Sequence, residues 1–345
     1  MTALPVRNLG PTPDPAARVW VLHDGKPGMR SQALGLAEAT ALPWREIALS
    51  VQRPWRWLPP SLWLTPLAAC GTASGRLMPP WPDLVIGCGR NAVRPALAIR
   101  EASGGHTLAV HIQDPRYGRA GFDLLVVPEH DRLRGPRVLL TKAALHRVTP
   151  RLLDAERRRF PQLARMPRPI LGVLVGGSNR AYRLGLAELA GIADQIAAAL
   201  SQTGGSALVT PSRRTGEAGV RLLRQRLAGH RLADRAVVWD GSGDNPYYAY
   251  LALADLLLAT PDSVSMISEA AATAKPVYIL SLAGGDAKFA RFHATMTELC
   301  ITRPFTGEIA GWSYAPPDDN TRAARAVHAL LAERDAAARA ARLAV

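Results

Sequence analysis

Four times before residue 130, a short apolar run ends in a loop of Gly, Asp, Pro or Arg. The runs are Val19 to Leu22, Asp83 to Ile86, Thr107 to Ile112 and Asp123 to Val127, with helical stretches from about Arg30 to Ala39 and on through Ala98. Apolar strands this short, alternating with helices, predict a parallel sheet buried on both faces, since each crossover lays a helix against it. The charged segment Pro150 to Pro169 breaks the rhythm, which then restarts. Ile170 to Val175, Ala207 to Val209, Ala236 to Trp239, Leu256 to Ala259 and Pro276 to Leu280 read as strands, Leu186 to Leu200 as a helix, and an Ala/Arg-rich helix from about Thr321 to Leu343 closes the chain. The fold class expected is α/β, with two Rossmann-like parallel-sheet domains facing a cleft. Its parts are a flexible tail at 1–16, a first domain at 17–149, a linker at 150–169, a second domain at 170–310 and a helical segment at 311–345.

In parallel sheets, ligands bind where loops leave the C-terminal ends of the strands. The second half carries the most informative of these loops. Leu256-Leu257-Leu258-Ala259 runs into Thr260-Pro261-Asp262-Ser263-Val264-Ser265, which opens a helix containing Glu269. A helix start leaves backbone N–H groups free and carries partial positive charge, so Asp262, Ser263 and Ser265 mark a place for a diphosphate. Glu269, two turns on, is placed to accept hydrogen bonds from ribose hydroxyls. Asp and Ser are also the preferred N-caps of ordinary helices. Gly176-Gly177-Ser178 adds glycines that let backbone approach a phosphate and a hydroxyl donor, without the Gly-Lys-Ser/Thr of a Walker loop. Arg213 and Arg214 bring two guanidiniums suited to bidentate phosphate contacts. Asn245, ahead of Tyr247 and Tyr248, offers an amide and an aromatic face to a base. In the first half, Asp24-Gly25-Lys26-Pro27-Gly28 repeats the strand-to-helix loop, with Lys26 as a mobile cation and Gly28 at the helix start. Asp114 and His130, each at a strand end, are the groups placed to act as general base on an acceptor hydroxyl.

Gly87-Cys88-Gly89-Arg90-Asn91-Ala92 imitates a dinucleotide fingerprint, with Asp114 lying 22 residues past Ala92. It follows a later strand of its half, and Arg90 and Asn91 crowd the position of a pyrophosphate. This is the basis of a minor alternative, an epimerase-like oxidoreductase.

The net charge of +14 suits an anionic partner, although only four of the 42 basic residues are Lys, as coding bias towards Arg would also give. The Arg residues are spread along the chain, which argues against a nucleic-acid module. The three cysteines have no metal-ligand spacing and suit a reducing compartment; the first 18 residues do not read as a secretory signal. A cytoplasmic protein is expected, peripheral on the inner face of a membrane. That last point comes from Arg53-Pro54-Trp55-Arg56-Trp57 and the following residues to Leu64, where three Trp lie among Arg and Leu, as at a membrane interface or in a loop that covers a core.

Together these loops resemble the family named for mitochondrial fission in plants, the "elongated mitochondria" family, which has many bacterial members. The matching residues are Asp24 to Gly28 with Gln32, Ile86 to Arg90, Gln113 to Arg116, Pro128 to Asp131, Gly176 to Ser178, Thr210 to Thr215, Asn245 to Tyr247 and Asp262 to Ala270. The family is similar to GT-B glycosyltransferases. The resemblance implies that the second domain binds a nucleotide sugar, with Glu269 matching the late-helix carboxylate that holds the ribose. It departs at Met29, where the family's first loop often has His. The function expected is metal-independent transfer of a sugar from a nucleoside diphosphate sugar to a polar or membrane-associated acceptor, with no cofactor and no nucleic acid. The alternative from a different class is a non-catalytic, membrane-associated adaptor.

Overall fold

A computed structural model of the protein describes residues 17–72 and 75–343. The expected tail at 1–16 lies outside the described residues. The chain divides into two compact units. The first runs to Thr141 and resumes at Asp319; the second is Lys142–Asp318.

In the first unit, β1 (Val19–His23), α1 (Pro27–Ala39) and β2 (Trp44–Ala48) come first. A small antiparallel sheet follows, made of β3 (Ser50–Val51), β4 (Cys70–Thr72) and β5 (Gly75–Arg76), with the short α2 (Pro66–Ala69) ahead of β4. Next are β6 (Leu84–Cys88), α3 (Val93–Ala102), β7 (Leu108–Ile112), β8 (Leu124–Pro128) and β9 (Val138–Thr141). The main sheet is parallel throughout, in the order β2-β1-β6-β7-β8-β9. Its central strands β1, β6, β7 and β8 are buried along their whole length, which is why they read as apolar runs, interrupted only by the buried His23 and His111.

The second unit contains α4 (Pro150–Arg159), β10 (Ile170–Val175), α5 (Leu186–Thr203), β11 (Ser206–Pro211), α6 (Gly216–Gly229), β12 (Ala236–Val238) and α7 (Tyr247–Leu253). It continues with β13 (Leu256–Ala259), α8 (Val264–Ala271), β14 (Val277–Ile279), α9 (Ala287–Glu298) and β15 (Thr302–Pro304). Its strands are also all parallel, in the order β12-β11-β10-β13-β14-β15, the doubly wound order of a dinucleotide-type sheet. Alternate residues of β10 serve opposite faces: Leu171, Val173 and Val175 pack with Ile192, Ile196 and Leu223 of α5 and α6. Leu174 packs on the other side with Ile267, Phe292 and Met296 of α8 and α9.

The charged stretch expected as a linker instead holds α4, capped by the Thr149 hydroxyl, which accepts from the Leu152 N–H at 3.1 Å. Arg157 donates from Nη2 to the Ala252 carbonyl of α7 at 3.0 Å, so α4 belongs to the second unit. The closing helix α10 (Asp319–Leu343) returns to the first unit. Ala323, Val327 and Leu331, one turn apart, form its buried stripe. His328 Nε2 donates to the Thr40 carbonyl at the end of α1, 2.9 Å away, and Arg334 to those of Asp83 and His106. Two Rossmann-like units with the last helix returned to the first give the chain a GT-B-type plan.

Candidate functional site

Strand order reverses in the second unit between β10 and β13, whose registers align Leu174 with Ala259. The loops that leave these two strands are Gly176-Gly177-Ser178 and Thr260-Pro261-Asp262-Ser263, so the segments singled out from the sequence meet at the position where such sheets take ligands. They are locked together. The Gly176 N–H donates to Thr260 Oγ1 at 2.8 Å and the Gly177 N–H to Asp262 Oδ2 at 3.0 Å. A Cβ on Gly176 would stand 2.2 Å from Asp262 Oδ2, and one on Gly177 would stand 2.5 Å from backbone of Arg214, so both positions require glycine for the approach itself.

Asp262 and Arg214 form the centre of this lock. The Asp262 side chain is fully buried, and Arg214 Nη2 donates to it at 2.7 Å. Arg214 Nη1 also donates to the Gly177 carbonyl. Arg214 was expected to hold a phosphate; in this structure Nη1 and Nη2 serve the loop and Asp262, while the side chain stays exposed. Ser178 is similarly committed, accepting from the Leu184 N–H at 2.9 Å. Arg213 is exposed and makes no hydrogen bond or ion pair among the described residues. The cap of α8 is Ser263, whose hydroxyl accepts from the Met266 N–H at 3.4 Å. The N–H groups of Val264 and Ser265 have no partner among the described residues. These are the donors that a helix start offers to an anion.

Glu269 is buried, 6% exposed, on α8, and the Tyr247 hydroxyl donates to its Oε2 at 2.5 Å. Burial, then the Glu269 carboxylate, push the Tyr247 hydroxyl well above its ordinary pKa, so it stays a donor. Asn245 Oδ1 accepts from the Tyr247 N–H at 3.0 Å, which ties the start of α7 through Tyr247 to Glu269. The sequence reading took Tyr247 for an aromatic face and missed its hydroxyl. It missed His293 entirely, a lone His on α9 with no motif around it. His293 Nε2 donates to the Pro261 carbonyl at 3.0 Å, and burial lowers its pKa, so it is neutral with Nδ1 as a buried, unpartnered acceptor.

The first unit has its own switch point, between β1 and β6. Lys26 and Gly28 lie there, in the first unit, whereas the loops just described belong to the second. Lys26 Nζ pairs with Asp24 Oδ2 at 2.5 Å, and the Gly28 carbonyl accepts from Gln32 Nε2 at 3.0 Å. A buried polar group that the sequence reading overlooked sits beside them. His23 Nδ1 accepts from the Gly25 N–H and its Nε2 donates to Glu46, 2.9 Å away, while Arg30 grips the same carboxylate. The His23 ring N–H and the Arg30 guanidinium, against the opposing effect of burial, bring the Glu46 carboxyl down to about 2.

Asp114 does not have the surroundings of a base. Burial alone would raise its pKa, but Arg119, bidentate at 2.9 and 2.8 Å, and the Arg116 N–H outweigh that and lower it. A carboxylate engaged in this way is a poor proton acceptor and no ribose ligand, and the strand before the fingerprint-like Gly87–Ala92 is not the first of its unit. His130 is buried at the end of β8. Met29 packs its sulfur 3.5 Å from Cys88 Sγ. Among the described residues, no group of three His, Cys, Asp or Glu is placed to hold a metal, and no helix is long and apolar enough to cross a membrane.

A sequence model of the mitochondrial fission ELM1 family matches residues 27–331. The chain belongs to the ELM1 family. The mitochondrial fission protein ELM1 of Arabidopsis thaliana is 31% identical over 280 residues, 73% of this chain and 65% of the plant protein. The chain thus spans a little under two thirds of that relative's length. An uncharacterized protein of Rickettsia prowazekii, RP120, is 23% identical over 289 residues, 71% of this ELM1-family chain and 79% of that one. Solved structures of similar chain plan include Anabaena Alr3699/HepE in complex with UDP and glucose, 12% identical at a TM-score of 0.43, covering 92% of this chain and 95% of that one. Os79 of O. sativa, solved with U2F and trichothecene, is 12% identical at a TM-score of 0.48, with 90% of each chain covered. MurG of Acinetobacter baumannii is 13% identical at 0.42, with 92% of each covered.

Proposed function

We propose that this ELM1-family chain binds a nucleoside diphosphate sugar at the switch point of its second unit and transfers the sugar to a polar or membrane-associated acceptor. One observation supports this most. The fully buried Asp262 carboxylate, gripped by the exposed Arg214, and two obligatory glycines hold the start of α8 open, with the Val264 and Ser265 N–H groups unbonded at the end of the sheet. The cluster is built around a helix start whose unbonded N–H groups favour an anion. In this reading the diphosphate lies at Val264–Ser265, with Ser263 holding the helix end and Arg213 reaching from the facing loop. Glu269 takes the ribose hydroxyls, held in place by Tyr247 and, through it, by Asn245. The leaving diphosphate gains charge as the glycosidic bond breaks, and fixed N–H dipoles stabilise it without reorganising. No cofactor or metal is invoked, and His130 is the acceptor-side group to test as base. The protein works in the cytoplasm, on the inner face of a membrane, without nucleic acid as a partner.

The test is a calorimetric titration with UDP, GDP, ADP and TDP. Saturable one-to-one binding with preference for one base, weakened in Glu269→Gln, is the expected result. If none of the four binds to folded protein, the reading fails. A non-catalytic adaptor is the second reading, favoured by the sulfur-packed Met29 and by Asp114 being committed to Arg119.

A further inference from the structure

Five of the eight exposed large hydrophobic side chains among the described residues fall between residues 57 and 78. They are Trp57 at 71%, Leu58 at 42%, Leu62 at 57%, Leu64 at 86% and Met78 at 63%. Scattered exposed apolar residues are ordinary; this concentration in one short segment is not. The segment is also firmly built. Trp63, only 1% exposed, anchors it from within, its indole N–H donating to the Trp55 carbonyl at 3.1 Å and the Leu58 carbonyl at 3.3 Å. Arg94 Nη2 donates to the Trp63 carbonyl at 3.1 Å. Leu62 and Leu64 therefore stay exposed on either side of a buried anchor.

The segment carries charge of one sign: from Leu49 to Pro82 the sequence has no Asp or Glu, while the exposed Arg53 and Arg56 lie within it. A cavity of about 560 Å³ opens beside the exposed residues. Its lining is amphipathic, with Arg56 and Arg90 among its polar groups and Trp57, Leu58, Pro59 and Trp63 among its apolar ones. Arg90 and Asn91 reach it from the loop that leaves β6, next to the first unit's switch point.

We infer that this face docks on an anionic bilayer, with Trp57, Leu62 and Leu64 entering the interface and a lipid phosphate seated between Arg56 and Arg90. Trp and Leu side chains bury favourably at the headgroup boundary, and arginines there are drawn to anionic lipid. Charge complementarity selects this occupant: an apolar partner protein would not need an acid-free rim, and free nucleic acid would not need the leucines. The inference stands apart from the nucleotide reading, since no residue of the second unit takes part.

The test is flotation of the full chain with vesicles of phosphatidylcholine alone and of phosphatidylcholine with phosphatidylglycerol, with no nucleotide present. The chain should float with the anionic vesicles and not with the neutral ones. Leu62→Ser with Leu64→Ser, both at exposed positions, should abolish flotation while leaving thermal unfolding unchanged. Arg56→Gln should weaken the partition about fivefold, the effect of roughly one basic residue near such a surface. The inference is overturned if the wild-type chain stays unbound, or if the double Ser variant floats equally well, which would mark attraction by net charge alone. It is also overturned if the wild-type chain is a dimer in solution that the double Ser variant dissociates without any flotation, since the face would then join two copies.

Discussion

Ser265→Asp separates a helix start that holds a ligand from one that is merely capped. Ser265 is the second residue of α8, its N–H unbonded, with Ser263 already serving the Met266 N–H. A carboxylate in a first helical turn interacts favourably with the helix dipole, by about 0.3–1 kcal/mol. The variant should therefore melt at the same temperature as the wild type or up to a few degrees higher, at about 2–4 °C per kcal/mol for a unit of this size. A diphosphate at the same helix start meets the opposite effect. A like unit charge about 4 Å away costs about 1 kcal/mol under water-like screening and about 4 kcal/mol at the effective dielectric typical near a protein surface. Nucleotide affinity should thus fall between about fivefold and about a thousandfold, while stability holds or rises. Calorimetric titration of both proteins with the nucleotide that binds best, run beside thermal unfolding, measures both quantities on one sample. A Ser265→Asp protein that binds that nucleotide with undiminished affinity refutes the placement of the diphosphate at α8. A destabilised variant would refute the view that the Val264 and Ser265 N–H groups are open.

Gly176→Ala should cost several kcal/mol and remove nucleotide binding, because its Cβ would lie 2.2 Å from Asp262 Oδ2, inside the buried lock; chemical denaturation of the two proteins measures the loss. Asp114→Asn should lower stability by about 1–3 kcal/mol through the loss of the bidentate Arg119 pair, with the pH dependence of any transferase activity retained; were Asp114 the catalytic base, the substitution would instead remove the acidic limb of the profile. Glu46 has its pKa depressed in the folded state, so its contribution is fully present above the unfolded value near 4.5 and is lost as pH falls towards about 2. Urea unfolding over that window should show a steeper acid loss for the wild type than for Glu46→Gln; identical slopes would remove the His23–Glu46–Arg30 cluster from the account.

The fold was legible where strands are buried on both faces. β1, β6, β10 and β13 are central, so their residues are apolar save His23 at the end of β1, and the loop that follows is conspicuous. Edge strands were harder to read. β2 and β15 have charged residues among their partly exposed ones, and the apolar run of β9 is only three residues long. The stretch at 150–169 misled because a surface helix with three successive arginines at its end has a linker's composition; its attachment to α7 is a contact across about a hundred residues of sequence.

By itself, the sequence determined the residue types of the candidate site and their places on the chain. Gly176, Gly177, Asp262 and Ser263 follow apolar strands, and Glu269 lies in the helix that Ser263 caps; both properties are local. Their division of labour was decided by the tertiary structure. Asp262 and Arg214, 48 residues apart, pair at the edge of the interior, so the Asp262 carboxylate faces a guanidinium while Ser263 caps the helix. Tyr247 reaches Glu269 from another helix, and Arg119 occupies the carboxylate of Asp114. Each of these outcomes depends on which opposite charge or donor stands within 3 Å. A parallel sheet sets that distance by strand order, and strand order is not a property of any one segment.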